Sequence, residues 1–270
     1  MAGARFEVRV GAATLVGERW EGEGTPVVLL HAGVADRRSW YGVAERLSAP
    51  AIAYDRRGFG WSPPSAEPFT HLDDLLAVLD ATVDGPVWLV GNSMGGVLAL
   101  DAAVTAPDRV VGLALISPGV SGGPPPGELD ADTRRLEGPL DAAYEAGDTD
   151  EVARLEAWLW LDGPASAEGR VGGPARELAL AMNRRILRNG VPGDAGAADV
   201  DAWSRLPELA VPTTLMWGDR DVPIEIDTAR AIAARVPGAR TQVLPGAAHM
   251  PSLEQPAELA AAIQASMSGR

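Results

Sequence analysis

The chain has 270 residues, of which 46% are hydrophobic and 22% are charged, as is typical of one globular domain or of a domain that carries an insertion. These values exclude a disordered, collagen-like or coiled-coil chain. The net charge is −14 and all 23 basic residues are arginine, so binding to nucleic acid or to an anionic membrane surface is disfavoured.

Cysteine and histidine usage narrows the chemistry further. The chain has no cysteine, which excludes disulfides, thiol nucleophiles and cysteine-bound metals, and its three histidines argue against a multi-histidine metal centre. The N-terminal residues lack the apolar segment of a signal peptide, and no apolar run approaches the roughly 20 residues that span a bilayer. We therefore expect a soluble, cytoplasmic protein.

The first 120 residues alternate between short apolar runs and helical segments. The first two runs, Phe6–Val10 and Ala13–Trp20, predict an antiparallel pair of strands. The elements predicted next are strands at Val27–Leu30, Ala51–Tyr54, Val87–Val90 and Val110–Ile116, and helices at Ser39–Leu47, Thr70–Val83 and Met94–Ala106, the first two capped by Ser39 and Thr70. This alternation is typical of a mostly parallel sheet covered by helices on both faces.

The alternation is then interrupted. The segment Ser121–Gly127 is rich in glycine and proline and has the composition of a linker. Helical segments are predicted at Thr133–Ala146, Glu151–Leu161 and Ala175–Asn189, and the α/β pattern resumes with a strand at Thr213–Trp217, a helix at Asp227–Val236, a strand at Thr241–Leu244 and a closing helix from Pro256. The sequence therefore predicts an α/β core, residues 1–120 and 206–270, with a helical insertion at residues 121–205.

A candidate nucleophile lies between the strand at 87–90 and the helix that follows it. The segment Gly91-Asn-Ser93-Met-Gly95 has the spacing G-x-S-x-G, in which small residues allow a turn so sharp that the serine hydroxyl points outward. The helix beginning at Met94 places a free N–H and positive potential beside Ser93. The alternative is an ordinary tight strand-to-helix turn in a glycine-rich chain.

A serine nucleophile needs a base, and the base needs an acid to orient it. His249 follows the last predicted strand in a loop at the sheet edge, which favours it as the base over a plain surface histidine. Of the other two histidines, we expect His71 to be solvated in the first turn of a helix and His31 to organise a loop by hydrogen bonding. The acid follows the penultimate predicted strand, where Asp219 and Asp221 are both candidates and either is also able to cap the loop.

The loop after the strand at Val27–Leu30 offers a second donor for an oxyanion hole, besides the N–H of Met94. In the segment His31-Ala-Gly33-Val34, the backbone N–H of Gly33 is free to face a bound carbonyl group. An ordinary flexible loop is the alternative, because glycine is common in turns.

Together these segments resemble the α/β-hydrolase superfamily. The segments that carry the resemblance are HAG at His31–Gly33, YDRRGFGWS at Tyr54–Ser62, GNSMGG at Gly91–Gly96, PDRVVGLALIS at Pro107–Ser117, WGDRD at Trp217–Asp221 and GAAHMP at Gly246–Pro251. The resemblance implies an α/β-hydrolase fold with a mostly parallel sheet of about eight strands, helices on both faces and an inserted helical cap.

The resemblance also assigns roles to residues of the site. It implies a catalytic triad of Ser93, Asp221 and His249, since the acid of this family usually falls three residues after the glycine of its G-x-x-D segment. The chain order Ser, Asp, His matches this class of triad. The oxyanion donors become the N–H groups of Gly33 and Met94, although the family generally has glycine directly after the loop histidine, where this chain has alanine.

The predicted cap carries apolar residues that are candidates for lining a substrate pocket. They are Trp158, Trp160, Met182 and Trp203, together with Met250 beside the candidate base. Because side chains two positions apart on a helix point in different directions, we expect at least one of Trp158 and Trp160 to lie in the core of the cap.

These residues predict a cofactor-independent serine hydrolase without a metal, monomeric or homodimeric, that cleaves a small or medium apolar carboxylic ester or lactone through an acyl-enzyme on Ser93. Within the same fold, a carbon–carbon bond hydrolase of aromatic ring-fission products and a cofactor-free perhydrolase are the alternatives. The former usually carries an aromatic residue where this chain has Met250. A slow-turnover ligand receptor is the alternative from a different class.

Overall fold

One eight-stranded sheet forms the centre of the computed structural model, which describes residues 3–125, 127–190 and 196–269. The strands are β1 Ala4–Val10, β2 Ala13–Trp20, β3 Val27–Leu30, β4 Ala51–Tyr54, β5 Val87–Asn92, β6 Val110–Ile116, β7 Thr213–Gly218 and β8 Arg240–Leu244. Their order across the sheet is β1-β2-β4-β3-β5-β6-β7-β8, antiparallel in the pairs β1–β2 and β2–β4 and parallel from β4 onward. The predicted mostly parallel sheet of about eight strands is confirmed.

Helices connect these strands and form the inserted segment. They are α1 Tyr41–Ala44, α2 His71–Thr82, α3 Met94–Thr105, α4 Ala131–Ala146, α5 Thr149–Glu156, α6 Gly173–Asn189, α7 Ala202–Arg205, α8 Pro223–Arg235, α9 Pro251–Glu254 and α10 Pro256–Met267. A π-helical turn at Ala157–Asp162 continues α5, and short 3₁₀ turns occur at Arg37–Trp40, Pro107–Arg109 and Leu206–Glu208. None of the helices within the described residues has the length and hydropathy needed to cross a membrane.

Strand β3 shows why the parallel strands occur in the sequence as unbroken runs of apolar residues. Its residues Val28 and Leu30 belong to a core cluster shared with α2, α3 and α8, whereas Val27 and Leu29 belong to a second cluster shared with α1 and α10. Successive side chains of a strand point to opposite faces, and here both faces are covered. All four positions must therefore be apolar.

Two predicted helix starts are wrong. The helix expected at residues 39–47 with a Ser39 cap is instead a 3₁₀ turn capped by Asp36, followed by α1, because the Asp36 carboxylate accepts the N–H of Arg38 at 3.0 Å. The helix expected from residue 227 already begins at Pro223, since proline suits the first position of a helix, where its missing N–H has no partner to lose.

The first helices of the inserted segment pack in a small cluster that also includes Val222, just before α8. Side chains from α4, α5 and the π-helical turn pack together there, namely Leu136, Ala143, Val152, Leu155 and Leu159. The last helix of the predicted insertion behaves differently, because Ala202 of α7 is fully buried in the main core. The division into a core of residues 1–120 and 206–270 and an insertion of residues 121–205 stays a prediction.

Candidate active site

Ser93 forms the turn between β5, which ends at Asn92, and α3, which begins at Met94. Its backbone has a φ of +54° and a ψ of −117°, a strained conformation for a residue with a side chain. The Ser93 N–H donates to the Ile116 carbonyl at 2.9 Å, and the Ser93 carbonyl accepts from the Gly96 N–H at 2.8 Å. Strand β6 and helix α3 therefore hold the strained serine from both sides.

The turn at Ser93 requires glycine at positions 91 and 95, because a side chain at either position would collide with neighbouring backbone. A Cβ atom at Gly95 would lie 2.1 Å from the Leu30 carbonyl oxygen, and one at Gly91 would lie 2.3 Å from the Gly95 carbonyl oxygen. Both obstacles are backbone atoms, which cannot rotate aside. The first turn of α3 consequently lies directly against the ends of β3 and β5.

His249 and Asp221 form a buried pair that reaches across from the ends of β7 and β8. The His249 Nδ1 atom lies 2.9 Å from Oδ2 and 3.0 Å from Oδ1 of Asp221, and both residues are at most 4% exposed. The carboxylate is held in turn by the Ser117 hydroxyl at 2.5 Å and by the Val222 N–H at 2.7 Å. These donors hold the carboxylate so that it faces the imidazole ring.

Asp219, the other acidic candidate, has a different environment. It is exposed, and its carboxylate accepts the N–H of Gly246 at 2.7 Å, so it caps the loop that leads to His249. Of the two aspartates, Asp221 is therefore the one that contacts His249, and Asp219 is the one that caps the loop.

The pKa of His249 results from two opposed effects. Burial by itself disfavours the charged ring, but the negative charge of Asp221 and the hydrogen bond to it, with smaller contributions from Glu225 and Glu254, raise the pKa above the ordinary histidine value. A raised pKa makes the neutral ring a better proton acceptor. This is the electrostatic environment that a general base requires.

The imidazole is also packed against the inserted segment. The centroids of the Trp160 and His249 rings lie 4.7 Å apart. The backbone N–H of His249 donates to the Trp160 carbonyl at 3.1 Å. Within the described residues, the Ser93 hydroxyl makes no hydrogen bond to His249. Such contacts are often long in a ligand-free site and shorten when substrate binds.

The other two histidines occupy different positions. His31 is fully buried at the end of β3, its Nδ1 lies 2.8 Å from the Ala32 carbonyl oxygen, and its Nε2 accepts the N–H of Arg56 at 3.1 Å. Burial, followed by the charge of Arg56, lowers the pKa of His31 well below its usual value, so its ring is neutral. His71 was expected to be solvated and is instead buried, because Phe59 and Phe69 pack around its ring.

A cavity of about 520 Å³ extends from the ends of β3 and β5 into the inserted segment. Gly33 and Met94, the two predicted oxyanion donors, line it side by side, since a Cβ on Gly33 would lie 3.5 Å from the Met94 Cε atom. As the first residue of α3, Met94 has a backbone N–H with no acceptor inside the helix. Six of the other lining side chains are apolar, namely Val34, Phe59, Ala143, Val152, Ile186 and Leu187.

The residues that sequence analysis proposed for the pocket lie behind or away from this cavity. Met182 and Met250 are fully buried in one cluster, against which the cavity residue Val34 packs. Trp160 covers His249, and the Trp158 indole donates to the Ser166 carbonyl at 2.9 Å under the guanidinium of Arg135. These side chains support the site rather than line the cavity.

Trp203 is the clearest correction among the predicted pocket residues. It lies in α7, packs against the main core and carries the Arg235 guanidinium 4.5 Å above its ring. Its backbone N–H donates to the Ser121 carbonyl at 3.0 Å, which connects α7 to the first residue of the predicted linker. Trp203 therefore lines a groove on a different part of the surface.

The cavity residues missed by sequence analysis follow a helical period. On α6 they are Asn183, Ile186 and Leu187, with Gly190 one turn later, and on α5 they are Thr149, Val152 and Glu156. Spacings of three, four and seven place such residues on one helix face. That period was visible in the sequence, but which face meets the site depends on how the helices pack.

Comparisons with known proteins agree with this architecture. A model of the alpha/beta hydrolase family matches residues 27–262. Lipase LipV of Mycobacterium tuberculosis is 30% identical over 258 residues, covering 90% of this chain and 94% of that protein. A pimeloyl-[acyl-carrier protein] methyl ester esterase of Aliivibrio salmonicida is 26% identical over 242 residues, covering 86% and 87%.

A solved structure supports the same assignment in three dimensions. The thermophilic esterase from Thermogutta terrifontis superposes with a TM-score of 0.79 at 26% identity, over 98% of each chain. The matched segment of the family model begins with β3 and ends in α10, so it includes Ser93, Asp221 and His249. The chain belongs to the alpha/beta hydrolase family.

Proposed function

We propose that the chain is a serine hydrolase that cleaves carboxylic esters or lactones with a small or medium apolar acyl group. The observation that carries the proposal is a strained Ser93 at the carboxyl edge of the sheet, next to Asn92, whose side-chain amide donates at 3.1 Å to the carbonyl of His249 in the buried Asp221–His249 pair. Strain of this kind is stored at functional sites, and a hydrogen-bonded buried carboxylate and imidazole form the base of a nucleophilic triad.

In the proposed reaction, the Ser93 hydroxyl attacks the ester carbonyl carbon while Nε2 of His249 takes its proton. Asp221 accepts a hydrogen bond from the ring's own Nδ1–H, which leaves Nε2 free to receive the serine proton, and it stabilises the imidazolium ion that forms. The tetrahedral intermediate expels the alcohol, which receives the proton from His249. A water molecule, deprotonated by the same ring, then releases the acid and restores the free serine.

The negative charge of the tetrahedral intermediate needs donors that are already in place. We assign this role to the N–H groups of Gly33 and Met94, because both residues line the cavity and Met94 directly follows Ser93 in the chain. Removal of one such donor typically lowers kcat by about 10²–10³-fold. Both are backbone donors, so their direction depends on the loop after β3 and on the first turn of α3.

The cavity supports the proposed class of substrate. Its volume of about 520 Å³ is that of a small-molecule site, and its walls are largely apolar. One acidic side chain, Glu156, lines it and is hydrogen-bonded by Tyr144 and Asn183. An apolar acyl chain fits these walls, whereas an acyl chain with a terminal carboxylate would meet a like charge.

The similar proteins point in the same direction. The similar proteins include a lipase, a methyl ester esterase and a thermophilic esterase, all of which are named for ester substrates. These names and the geometry of the site both support ester cleavage as the proposed reaction.

The proposal is tested with p-nitrophenyl esters of acyl length from two to twelve carbons and with a set of simple lactones. We expect turnover that is highest at short or medium length and that falls by at least about 10³-fold in Ser93→Ala. A fluorophosphonate should add its mass to the wild type and not to Ser93→Ala.

Two outcomes would contradict this function. Turnover that persists in Ser93→Ala would remove Ser93 from the mechanism. If the folded wild-type protein cleaves none of the esters and lactones, the esterase proposal is rejected. A carbon–carbon bond hydrolase and a ligand receptor are then the favoured functions.

A further inference from the structure

Arg56 carries a buried positive charge without an anionic partner. Its side chain is fully buried, and within the described residues it forms no ion pair, whereas the neighbouring Arg57 pairs with Asp74 at 2.7 Å. The Arg56 guanidinium lies 4.5 Å from the centre of the Phe59 ring, and in the described part of the chain its Nη1 atom has no hydrogen-bond partner. A buried charge is costly unless it is compensated, so this arginine calls for an explanation.

The donors of Arg56 are directed at the loop after β3. Its Nη2 donates to the Ala32 carbonyl oxygen at 3.1 Å, and its backbone N–H donates to Nε2 of His31 at 3.1 Å. With Nε2 accepting, the neutral His31 ring carries its proton on Nδ1 and donates it to the same Ala32 oxygen at 2.8 Å. Two side chains, one of them charged, therefore bind a single carbonyl group.

That carbonyl belongs to the peptide group whose N–H is Gly33. A peptide group is planar and trans, so its C=O and N–H point in opposite directions. Holding the Ala32 oxygen on the protein side consequently turns the Gly33 N–H toward the cavity that Gly33 lines. A charged donor on the oxygen also polarises the peptide, which makes its N–H a stronger donor.

We infer that Arg56 is a positioning residue of the oxyanion hole, which holds and polarises the Ala32–Gly33 peptide for the negative charge that develops on the substrate. The inference rests on the proposed function, since it assigns Gly33 the role of oxyanion donor. It also accounts for the missing partner, because the anion that balances Arg56 forms only in the transition state. An interaction made there and not in the ground state accelerates the reaction.

The test uses three substitutions that remove different properties of Arg56. Arg56→Lys keeps the charge, Arg56→Gln keeps a neutral donor, and Arg56→Met keeps the length without either. Leu79→Ala is the matched control for stability, because Leu79 is fully buried in the main core and lies eight residues along α2 from the cavity residue His71. Each variant is assayed with p-nitrophenyl butyrate, and its Tm is measured alongside.

Two inhibitors separate positioning from general damage. A trifluoromethyl ketone forms an anionic adduct with a serine nucleophile, and the secondary alcohol of the same skeleton cannot. We expect the loss of kcat/KM to be smallest in Arg56→Lys, larger in Arg56→Gln and largest in Arg56→Met. For Arg56→Met the loss should be on the order of 10²-fold, which is typical of a missing oxyanion donor. Affinity for the ketone should fall in parallel, affinity for the alcohol should stay within about threefold, and Leu79→Ala should lower Tm without this pattern.

The inference is overturned if Arg56→Met folds and keeps kcat/KM within about threefold of wild type. It is also overturned if ketone and alcohol lose affinity equally, or if Leu79→Ala reproduces the loss. Should Arg56→Met not fold, Arg56→Gln decides by the same criteria. A wild type without ester turnover refutes the proposed function separately, and the rate of fluorophosphonate labelling at Ser93 then still decides whether Arg56 acts on the oxyanion.

Discussion

The strain at Ser93 predicts an unusual order of stability, in which Ser93→Gly is more stable than Ser93→Ala. The φ of +54° and ψ of −117° cost a residue with a Cβ atom about 1–3 kcal/mol. Glycine adopts this conformation freely, but it loses about 0.5–1 kcal/mol more backbone entropy on folding than alanine does. The balance leaves the glycine variant about 1 kcal/mol more stable. Both variants lack the hydroxyl, so the comparison isolates the backbone.

Thermal unfolding followed by circular dichroism measures this difference directly. About 1 kcal/mol corresponds to a Tm shift of about 2–4 °C for a domain of this size, and urea midpoints should agree with it. An alanine variant that melts at the same temperature as the glycine variant, or higher, would refute the reasoning. In that case the backbone conformation at position 93 would not cost alanine more free energy than it costs glycine.

Three further predictions concern the triad, the turn and the cavity. Asp221→Asn should lower kcat/KM by about 10⁴-fold. It should also move the pH midpoint of kcat/KM downward, because activity is lost as His249 gains a proton and Asp221 raises that pKa; an unmoved midpoint would contradict the pairing. Gly95→Ala should lower the free energy of unfolding by about 3 kcal/mol, since its Cβ atom would collide with backbone atoms of Leu30 and His31; urea unfolding of the variant and the wild type measures this loss, and equal midpoints would contradict the steric argument. Esters with a terminal carboxylate on the acyl chain should have a kcat/KM roughly tenfold lower than that of isosteric esters with a terminal methyl group. Glu156→Gln should make this difference smaller. If the wild type and the variant show the same difference, Glu156 is not its cause.

The site depends on elements that are distant in sequence and adjacent at one edge of the sheet. Ser93 follows β5, Asp221 follows β7 and His249 follows β8. Parallel strands bring their carboxyl ends to the same edge, and ligands of open α/β sheets bind there. The strand order therefore brings together three side chains that are separated by up to 156 positions in the chain.

The supporting shell shows how the site is kept in place. The Ser117 hydroxyl holds Asp221, and the Glu254 carboxylate accepts the Ala248 N–H beside His249 at 3.0 Å. Arg170, which follows the π-helical turn, donates to the Gly246 carbonyl at 3.0 Å and pairs with Glu254. The inserted segment is thus hydrogen-bonded to the loop that carries His249.

Sequence alone was sufficient for the features that depend on local chemistry. Strands buried on both faces had to be continuous apolar runs, and Thr70 had to cap α2 because its hydroxyl accepts the Asp73 N–H. The spacing around Ser93 determined the sharp turn, since only glycine leaves room for α3 against β3. These are short-range steric and hydrogen-bonding requirements, and they are written in neighbouring residues.

Tertiary packing alone decided the remaining features. Asp219 and Asp221 lie two positions apart with similar local chemistry, and burial beside Ser117 separates them only once β6 and β7 are neighbours. The pocket residues depended in the same way on which helix faces meet the cavity, so Trp203 turned to the main core while Ile186 reached the site. A helix records the period of its apolar face in its own sequence, but the partner of that face is determined by contacts between segments far apart in the chain.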